Sequence, residues 1–287
     1  MKNICMQFHM LPWELPAVKR GLQRFLDIYN PRPDINIHLH LIVNLSRFHT
    51  DWSKSKIYPT EILEETYKFT NTLNKFGRIY ITILSTEEPN GHIDTWKHIQ
   101  SNFYDGYIMY CSDTYYHKDY LDSLLDIITQ TNNFLTWVSP TPDTERYKIL
   151  TVNDIDNGKI TISRAKPGSY CMGFGWFDYI STSIINLIGW PPFECYGPHD
   201  SYIGFIMTGL YRALPDLDYG HYYINGDVIK PDCVYEEDEE YKKNFIIKQN
   251  KESQRAIAEE NFFDKINKRA AEIYERIINN AIIHRTV

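Results

Sequence analysis

The sequence lacks any long apolar run. A helix that spans a membrane needs roughly 20 consecutive apolar residues, and no stretch of these 287 residues provides them. The first residues include Pro12, Glu14 and Pro16, where the apolar core of a signal peptide would stand. We therefore expect a cytoplasmic, soluble protein with no membrane partner.

Cysteine and positive charge are also scarce. The five cysteines stand singly, without the paired spacing of a zinc site or the density of a disulfide scaffold. We expect reduced and mostly buried thiols. Thirty Lys and Arg against 37 Asp and Glu give a net charge of −7, which argues against a protein that wraps nucleic acid. The net charge does not exclude a local basic groove.

What the chain does contain is an alternation of apolar runs with helical patterns, which is typical of βαβ units and a largely parallel sheet. The pattern predicts an α/β fold with strands at 3–10, 35–45, 78–84 and 107–111 and helices at 17–29, 60–73, 93–102 and 118–129. Further strands at 134–138 and 159–163, separated by turns, indicate a mixed sheet.

The last 52 residues differ from the rest of the chain. After an acidic run at 236–240, an apolar stripe at helical spacing is carried by Phe262, Ile266, Ala270, Ile273, Ile277 and Ala281. We predict a catalytic domain over residues 1–235 and a charged, amphipathic helical appendage over 236–287. The appendage either folds back on the domain or joins two subunits of a homodimer.

A carboxylate follows the fourth predicted strand directly. Asp113 stands between Ser112 and Thr114, just past the strand at 107–111. Ligands of open α/β sheets collect beyond the carboxyl ends of the strands, so Asp113 is placed for chemistry. The alternative is a helix cap or turn former.

A second acidic residue opens a late helix. Gly197-Pro198-His199-Asp200 follows the turn Ile188-Gly189-Trp190. Asp200 is either a general base or a helix cap, since both uses suit this pattern.

In this order the motifs resemble the GT-A glycosyltransferases, specifically family-2-like members, over roughly residues 1–235. In that family the fourth strand ends in an Asp-x-Asp motif that binds the metal of the sugar nucleotide. Only the second carboxylate is present here, in Cys111-Ser112-Asp113. The resemblance implies a nucleotide-diphosphate sugar donor and Mn²⁺ or Mg²⁺ held by Asp113, with His221 as a further metal ligand.

The resemblance also implies the donor residues. Pro12, Trp13 and Asn44 occupy the positions that hold the base and ribose, with Asn44 replacing the usual aspartate. Asp94 and Lys97 follow Asn90-Gly91-His92, which resembles the family's Asn-x-Gly motif, and the resemblance places them in the helix that touches the donor. Lys97 either meets phosphate oxygens or lies on a solvated helix face.

The catalytic positions come from the late motif. Asp200 matches the family's base, which takes the acceptor proton in an inverting reaction. His199 stands where the family has Glu. Trp176 and Tyr196 lie in aromatic, glycine-bearing segments that we expect to contact the acceptor.

Our expectation for the acceptor depends on a second, looser resemblance. A composition rich in Asn, Ile, Lys and Tyr, together with the Leu-Pro-Trp-Glu loop, resembles phage-encoded members, some of which glycosylate hydroxymethylated pyrimidines in DNA. We expect such a flipped-out base as acceptor, in the host cytoplasm. A basic strip that faces DNA phosphates, or simply a solvated surface of the sheet, is formed by Arg146, Lys148, Lys159, Arg164 and Lys166. The alternatives are a glycan or cell-surface polysaccharide acceptor, or a noncatalytic sugar-nucleotide or glycan binder on the same fold.

Overall fold

A computed structural model of the chain describes residues 1–10, 15–44, 59–73, 79–86, 103–111, 115–131, 135–141, 155–166, 177–189, 199–217, 219–225, 228–229 and 262–285. The helices are α1 (Leu15–Ile28), α2 (Pro59–Leu73), α3 (Tyr120–Gln130), α4 (Thr182–Ile188), α5 (His199–Ala213) and α6 (Phe262–Arg285). The strands are β1 (Lys2–Met10), β2 (Ile35–Asn44), β3 (Ile79–Thr86), β4 (Gly106–Cys111), β5 (Tyr115–Tyr116), β6 (Leu135–Thr141), β7 (Thr161–Arg164), β8 (Tyr179–Ser181), β9 (Tyr219–Asn225) and β10 (Val228–Ile229).

Eight of these strands form one sheet, in the order β3-β2-β1-β4-β8-β6-β9-β7. Six of them run in one direction, while β8 and β7 run against their neighbours. β5 and β10 form a separate antiparallel pair. The predicted α/β class, a mixed and mainly parallel sheet flanked by helices, is confirmed.

The first face of the sheet packs against α1, α2 and α3. Alternate residues of the central strands point to this face, as the period of two in a strand requires. The predicted stripe of β2 is confirmed, since its five members are buried: Ile35, Ile37, Leu39, Leu41 and Val43. Leu22 and Phe25 of α1 and Leu121 and Leu124 of α3 close this core.

The second face packs against α4, α5 and α6. Cys5, Tyr107 and Trp137 from the strands meet Ile184, Ile206, Leu210 and Ile273 from the helices. Cys5 is a buried free thiol whose pKa is raised by burial, as expected for an inert cysteine.

The two histidines of β2 also lie on the second face. The His38 ring stacks on Tyr80, with ring centroids 4.5 Å apart, and His40 Nε2 lies 3.0 Å from the Tyr104 hydroxyl. No cluster of three or more metal-binding side chains occurs in the described part of the chain.

The C-terminal helix folds back on the sheet's second face. Ile273 is 1% exposed in that core, and Arg269 Nε donates to the Ile188 carbonyl at 3.2 Å. Arg276 donates to the carbonyl of Leu187. The predicted domain boundary at 235 lies outside the described residues, and the homodimer stays a prediction. None of the described helices combines the length and apolarity that crossing a membrane needs.

Several element bounds differ from the predicted ones. The helix predicted at 118–129 begins at Tyr120, because residues before it form a turn in which Tyr120 N donates to the His117 carbonyl at 2.9 Å. β6 continues to Thr141 because it pairs with β9 as far as Asn225. The predicted helix at 93–102 lies outside the described residues.

Candidate functional site

The sheet has its topological switch point between β1 and β4. From β1 the chain moves through β2 to β3 on one side, whereas β4 lies on the other side of β1 and runs parallel to it. His9 pairs with Cys111 in the register, so both strands end at the same edge. In open α/β sheets the ligand crevice forms at such a point, outside the carboxyl ends of the strands.

Three of the residues predicted to bind the donor stand at or just after strands that end at this edge. β1 ends at Met10, two residues before Pro12, and β4 ends at Cys111, two residues before Asp113. Asn44 is the last residue of β2 and pairs with Thr86 at the same edge. The predicted residues outside the described part of the chain are Pro12, Trp13, Asp94, Lys97, Asp113, Trp176 and Tyr196.

The strand that follows Asp113 in the sequence, β5, is held by pairing with β10 and by hydrogen bonds from Arg24. Tyr115–Tyr116 pairs with Val228–Ile229 just after the last parallel strand. Tyr116 is fully buried, and its carbonyl accepts from Arg24 Nε at 3.0 Å and Nη2 at 2.6 Å. The chain on either side of Asp113 therefore has a defined place at the carboxyl edge.

His199 and Asp200 are the first two residues of α5, so the predicted helix start is confirmed. Ile206, Met207 and Leu210 fix this helix on the second face. A short turn joins the helix to β9, in which Leu217 N donates to the Leu214 carbonyl. β9 begins at the amino edge of the sheet, and α5 is about 22 Å long, so its first turn points toward the carboxyl edge.

His221 lies in the middle of β9, in an aromatic setting. Its ring is parallel to that of Trp137 at a centroid distance of 4.3 Å, and Nε2 lies 3.2 Å from Ser139 Oγ. Only 2% of the residue is exposed, and this burial lowers the pKa of His221 to about 3. His221 is therefore neutral at physiological pH. Its role as a metal ligand stays a prediction.

Two polar residues near the carboxyl edge were not predicted. Asp178 is 1% exposed and precedes antiparallel β8, and its carbonyl accepts from Met109 N at 3.1 Å. Burial and the Asp178 charge raise the pKa of Tyr120. The sequence signal was an acidic residue between Phe177 and Tyr179. Arg20 on α1 is the second, and nothing in its local sequence distinguished it from a solvated helix residue.

The carboxylate predicted to hold a divalent cation, Asp113, lies outside the described residues. Mg²⁺ is commonly bound by one or two carboxylates together with substrate phosphates, so Asp is the residue type that such an ion would need at this position. Carboxylate oxygens also suit Mn²⁺.

Comparison with known proteins gives likenesses of fold only. No protein-family model and no curated protein sequence matches the chain. The structure is similar to a mannosyltransferase from Pyrobaculum calidifontis in complex with GDP-Man and Mn²⁺, with a TM-score of 0.49 and 11% identity over 78% of this chain and 56% of that one. It is also similar to a TarS fragment from S. aureus in complex with UDP-GlcNAc, with a TM-score of 0.43 and 12% identity over 78% of this chain and 58% of the fragment.

The chain thus spans less than two thirds of the length of either protein. At these TM-scores and identities, the likenesses assign neither a family nor an activity.

Proposed function

We propose that the protein is a GT-A-type glycosyltransferase that moves a sugar from a nucleotide-diphosphate sugar to an acceptor hydroxyl. The observation that carries the proposal is the switch point between β1 and β4, with Asp113 two residues beyond the end of β4. Such crevices bind nucleotides in other open α/β sheets. The order of motifs along the chain, which resembles family-2-like members, supports the same activity.

In this proposal Asp113 and the donor phosphates hold Mg²⁺ or Mn²⁺. When bound, the metal neutralises charge that develops on the departing diphosphate. Pro12, Trp13 and Asn44 hold the nucleoside, and Asp94 and Lys97 face the rest of the donor.

Asp200 acts as the base in an inverting displacement. Its carboxylate takes the proton of the acceptor hydroxyl while that oxygen bonds to the anomeric carbon, and the bond from this carbon to the diphosphate oxygen breaks. His199 precedes Asp200 in the first turn of α5, where the family has Glu, and we assign it to the same catalytic motif. The packing of Met207 and Leu210 holds that helix rigid, which favours a precisely placed base.

For the acceptor we propose a 5-hydroxymethylpyrimidine of phage DNA, extruded from the duplex, with Trp176 and Tyr196 against it. Three members of the basic strip, Lys159, Arg164 and Lys166, are described and exposed, and Arg146 and Lys148 lie outside the described residues. Arg164 Nη2 donates to the Tyr219 carbonyl at 2.8 Å, and its guanidinium lies over the Tyr222 ring. A glycan acceptor is the competing outcome of the test.

A noncatalytic sugar-nucleotide or glycan binder is the second candidate. The observation that favours it is Cys111, which stands where the family has the first carboxylate of its metal motif. A single carboxylate binds metal more weakly than two, so donor binding without turnover would follow.

The test is a donor panel with Mn²⁺, Mg²⁺ or EDTA, offered hydroxymethylated DNA, unmodified DNA and simple glycans. We expect Asp200→Asn to keep donor affinity and to lose about 10²- to 10⁴-fold in rate. The matched control is Asp216→Asn, an exposed residue in the turn at the other end of α5, which we expect to leave the rate unchanged. Donor binding that survives both Asp113→Ala and Asp200→Asn, without transfer by the parent protein, would favour the binder.

A further inference from the structure

We infer that Arg20 is an anion-binding residue at the switch point and that it takes the diphosphate group of the nucleotide donor. This inference rests on the proposed function for the identity of the ligand. The anion site itself follows from the surroundings of Arg20.

Arg20 belongs to the second turn of α1, the helix that follows β1. This helix begins at Leu15, five residues after β1 ends at the carboxyl edge. Side chains of a helix lean toward its N-terminus. The Arg20 side chain therefore extends toward the edge at which β1 and β4 end.

The neighbours of Arg20 fix this part of α1 against the β4–β5 connection. The Gly21 carbonyl accepts from the Tyr110 hydroxyl at 3.2 Å, and Tyr110 lies one residue before the end of β4. Arg24, one helical turn further on, donates twice to the Tyr116 carbonyl. Tyr110 and Tyr116 flank Asp113 in the sequence, so Arg20 lies beside both ends of the connection that carries Asp113.

The Arg20 guanidinium has no partner among the described residues. Its Nε and Nη2 atoms are withdrawn from solvent without a hydrogen bond, although the residue as a whole is only half-buried. By contrast, Arg24 pairs with Asp156 and Lys19 pairs with Glu65 at 3.4 Å. Withdrawing a cation from water without a partner is unfavourable, so this guanidinium favours an incoming anion.

A phosphate group fits this cation better than a carboxylate or halide ion would. The planar guanidinium presents its N–H groups as a fork that matches phosphate oxygens in a bidentate pair. A DNA backbone is the less suitable source of phosphate, because it binds to accessible rows of cations, whereas two of the three Arg20 nitrogens are buried. A diphosphate held in the crevice meets this geometry.

The test measures ligand binding and ligand-free stability in the full chain. Isothermal titration uses inorganic diphosphate, UDP, GDP and a short DNA duplex, each with Mg²⁺. We expect Arg20→Gln to weaken binding of diphosphate and of the preferred nucleotide about 10- to 100-fold, and Arg20→Lys to keep part of that affinity. The matched control is Lys19→Gln, with the same charge change in an exposed ion pair, for which we expect about a twofold effect or less.

Ligand-free stability separates this role from a structural one. Because Arg20 Nε and Nη2 have no hydrogen-bond partner among the described residues, we expect Arg20→Gln to leave the unfolding midpoint of the free protein unchanged or to raise it. A lowered midpoint with unaltered ligand binding would mean that Arg20 supports the fold, and the inference would be wrong.

The binding results distinguish the two proposals. Nucleotide binding that Arg20→Gln does not weaken overturns the inference and leaves the proposed function standing. Diphosphate binding that depends on Arg20, with no binding of either nucleotide, keeps the anion site and counts against the proposed function. Arg20-dependent binding of DNA alone, or binding of none of the four probes, overturns the diphosphate assignment.

Discussion

Acidification will destabilise the folded protein through two buried histidines. Burial lowers the pKa of His221 to about 3, and burial together with the charge of His38 lowers the pKa of His40 to about 4. In the unfolded chain both groups titrate near 6.5. The unfolded state therefore binds more protons as the pH falls below about 6.5, and folding stability declines.

The size of the effect follows from the same shifts. Stability declines by about 1.4 kcal/mol per pH unit for each histidine, between about 6.5 and the folded pKa. At about pH 5 each histidine has lowered the free energy of unfolding by about 2 kcal/mol relative to its value at neutral pH. Together they remove a large share of the roughly 5–15 kcal/mol that stabilises a typical domain.

The assay is urea unfolding of the wild type and of His221→Gln at about pH 7.5 and about pH 5. Glutamine does not titrate, so the loss between the two pH values is expected to be about 2 kcal/mol smaller in the variant. Trp137→Phe is the control, because it disturbs the same ring stack and leaves His221 titratable. Equal pH-dependent losses in wild type and His221→Gln would refute the reasoning.

Two further predictions concern packing. At Gly106 an added Cβ would lie 2.3 Å from the Tyr179 ring. At Gly209, on the exposed face of α5, no described atom outside the helix's own backbone lies within 4 Å of an added Cβ. We expect Gly106→Ala to lower the free energy of unfolding by about 1–3 kcal/mol and Gly209→Ala to raise it by about 0.5–1 kcal/mol; effects of one sign in both variants would contradict this. We expect Ile273→Ala in α6 to lower the free energy of unfolding by about 2–5 kcal/mol, and exposed Glu275→Ala is the control. If urea unfolding shows no loss of stability in Ile273→Ala, α6 does not share the core.

The parts of the fold that could be predicted are those with a local pattern. β2 was readable because one whole side of it is buried, which leaves a strict alternation. β8 has only three residues, and its place between β4 and β6 depends on pairing with strands that lie far away in the chain. The local sequence of β8 therefore does not predict its insertion between β4 and β6.

The candidate site divides in the same way. Asp113 and Asp200 could be proposed from the sequence because each stands at a recognisable strand or helix boundary, and their roles stay predictions. Arg20 was missed because a single arginine in a polar helix is usually solvated. Its importance depends on Tyr110 and Arg24, which the fold places around it.

The position of β8 has a consequence for how the chain folds during synthesis. β4 is flanked by β1 and β8, and β6 is flanked by β8 and β9. β6 ends at Thr141 and β8 begins at Tyr179, so both strands keep an open edge until the chain between these residues has been synthesised. Open edges promote association between chains. We expect a fragment ending at residue 141 to aggregate in pelleting assays more than one ending at residue 225, and a translation pause before β8 would prolong the exposed state.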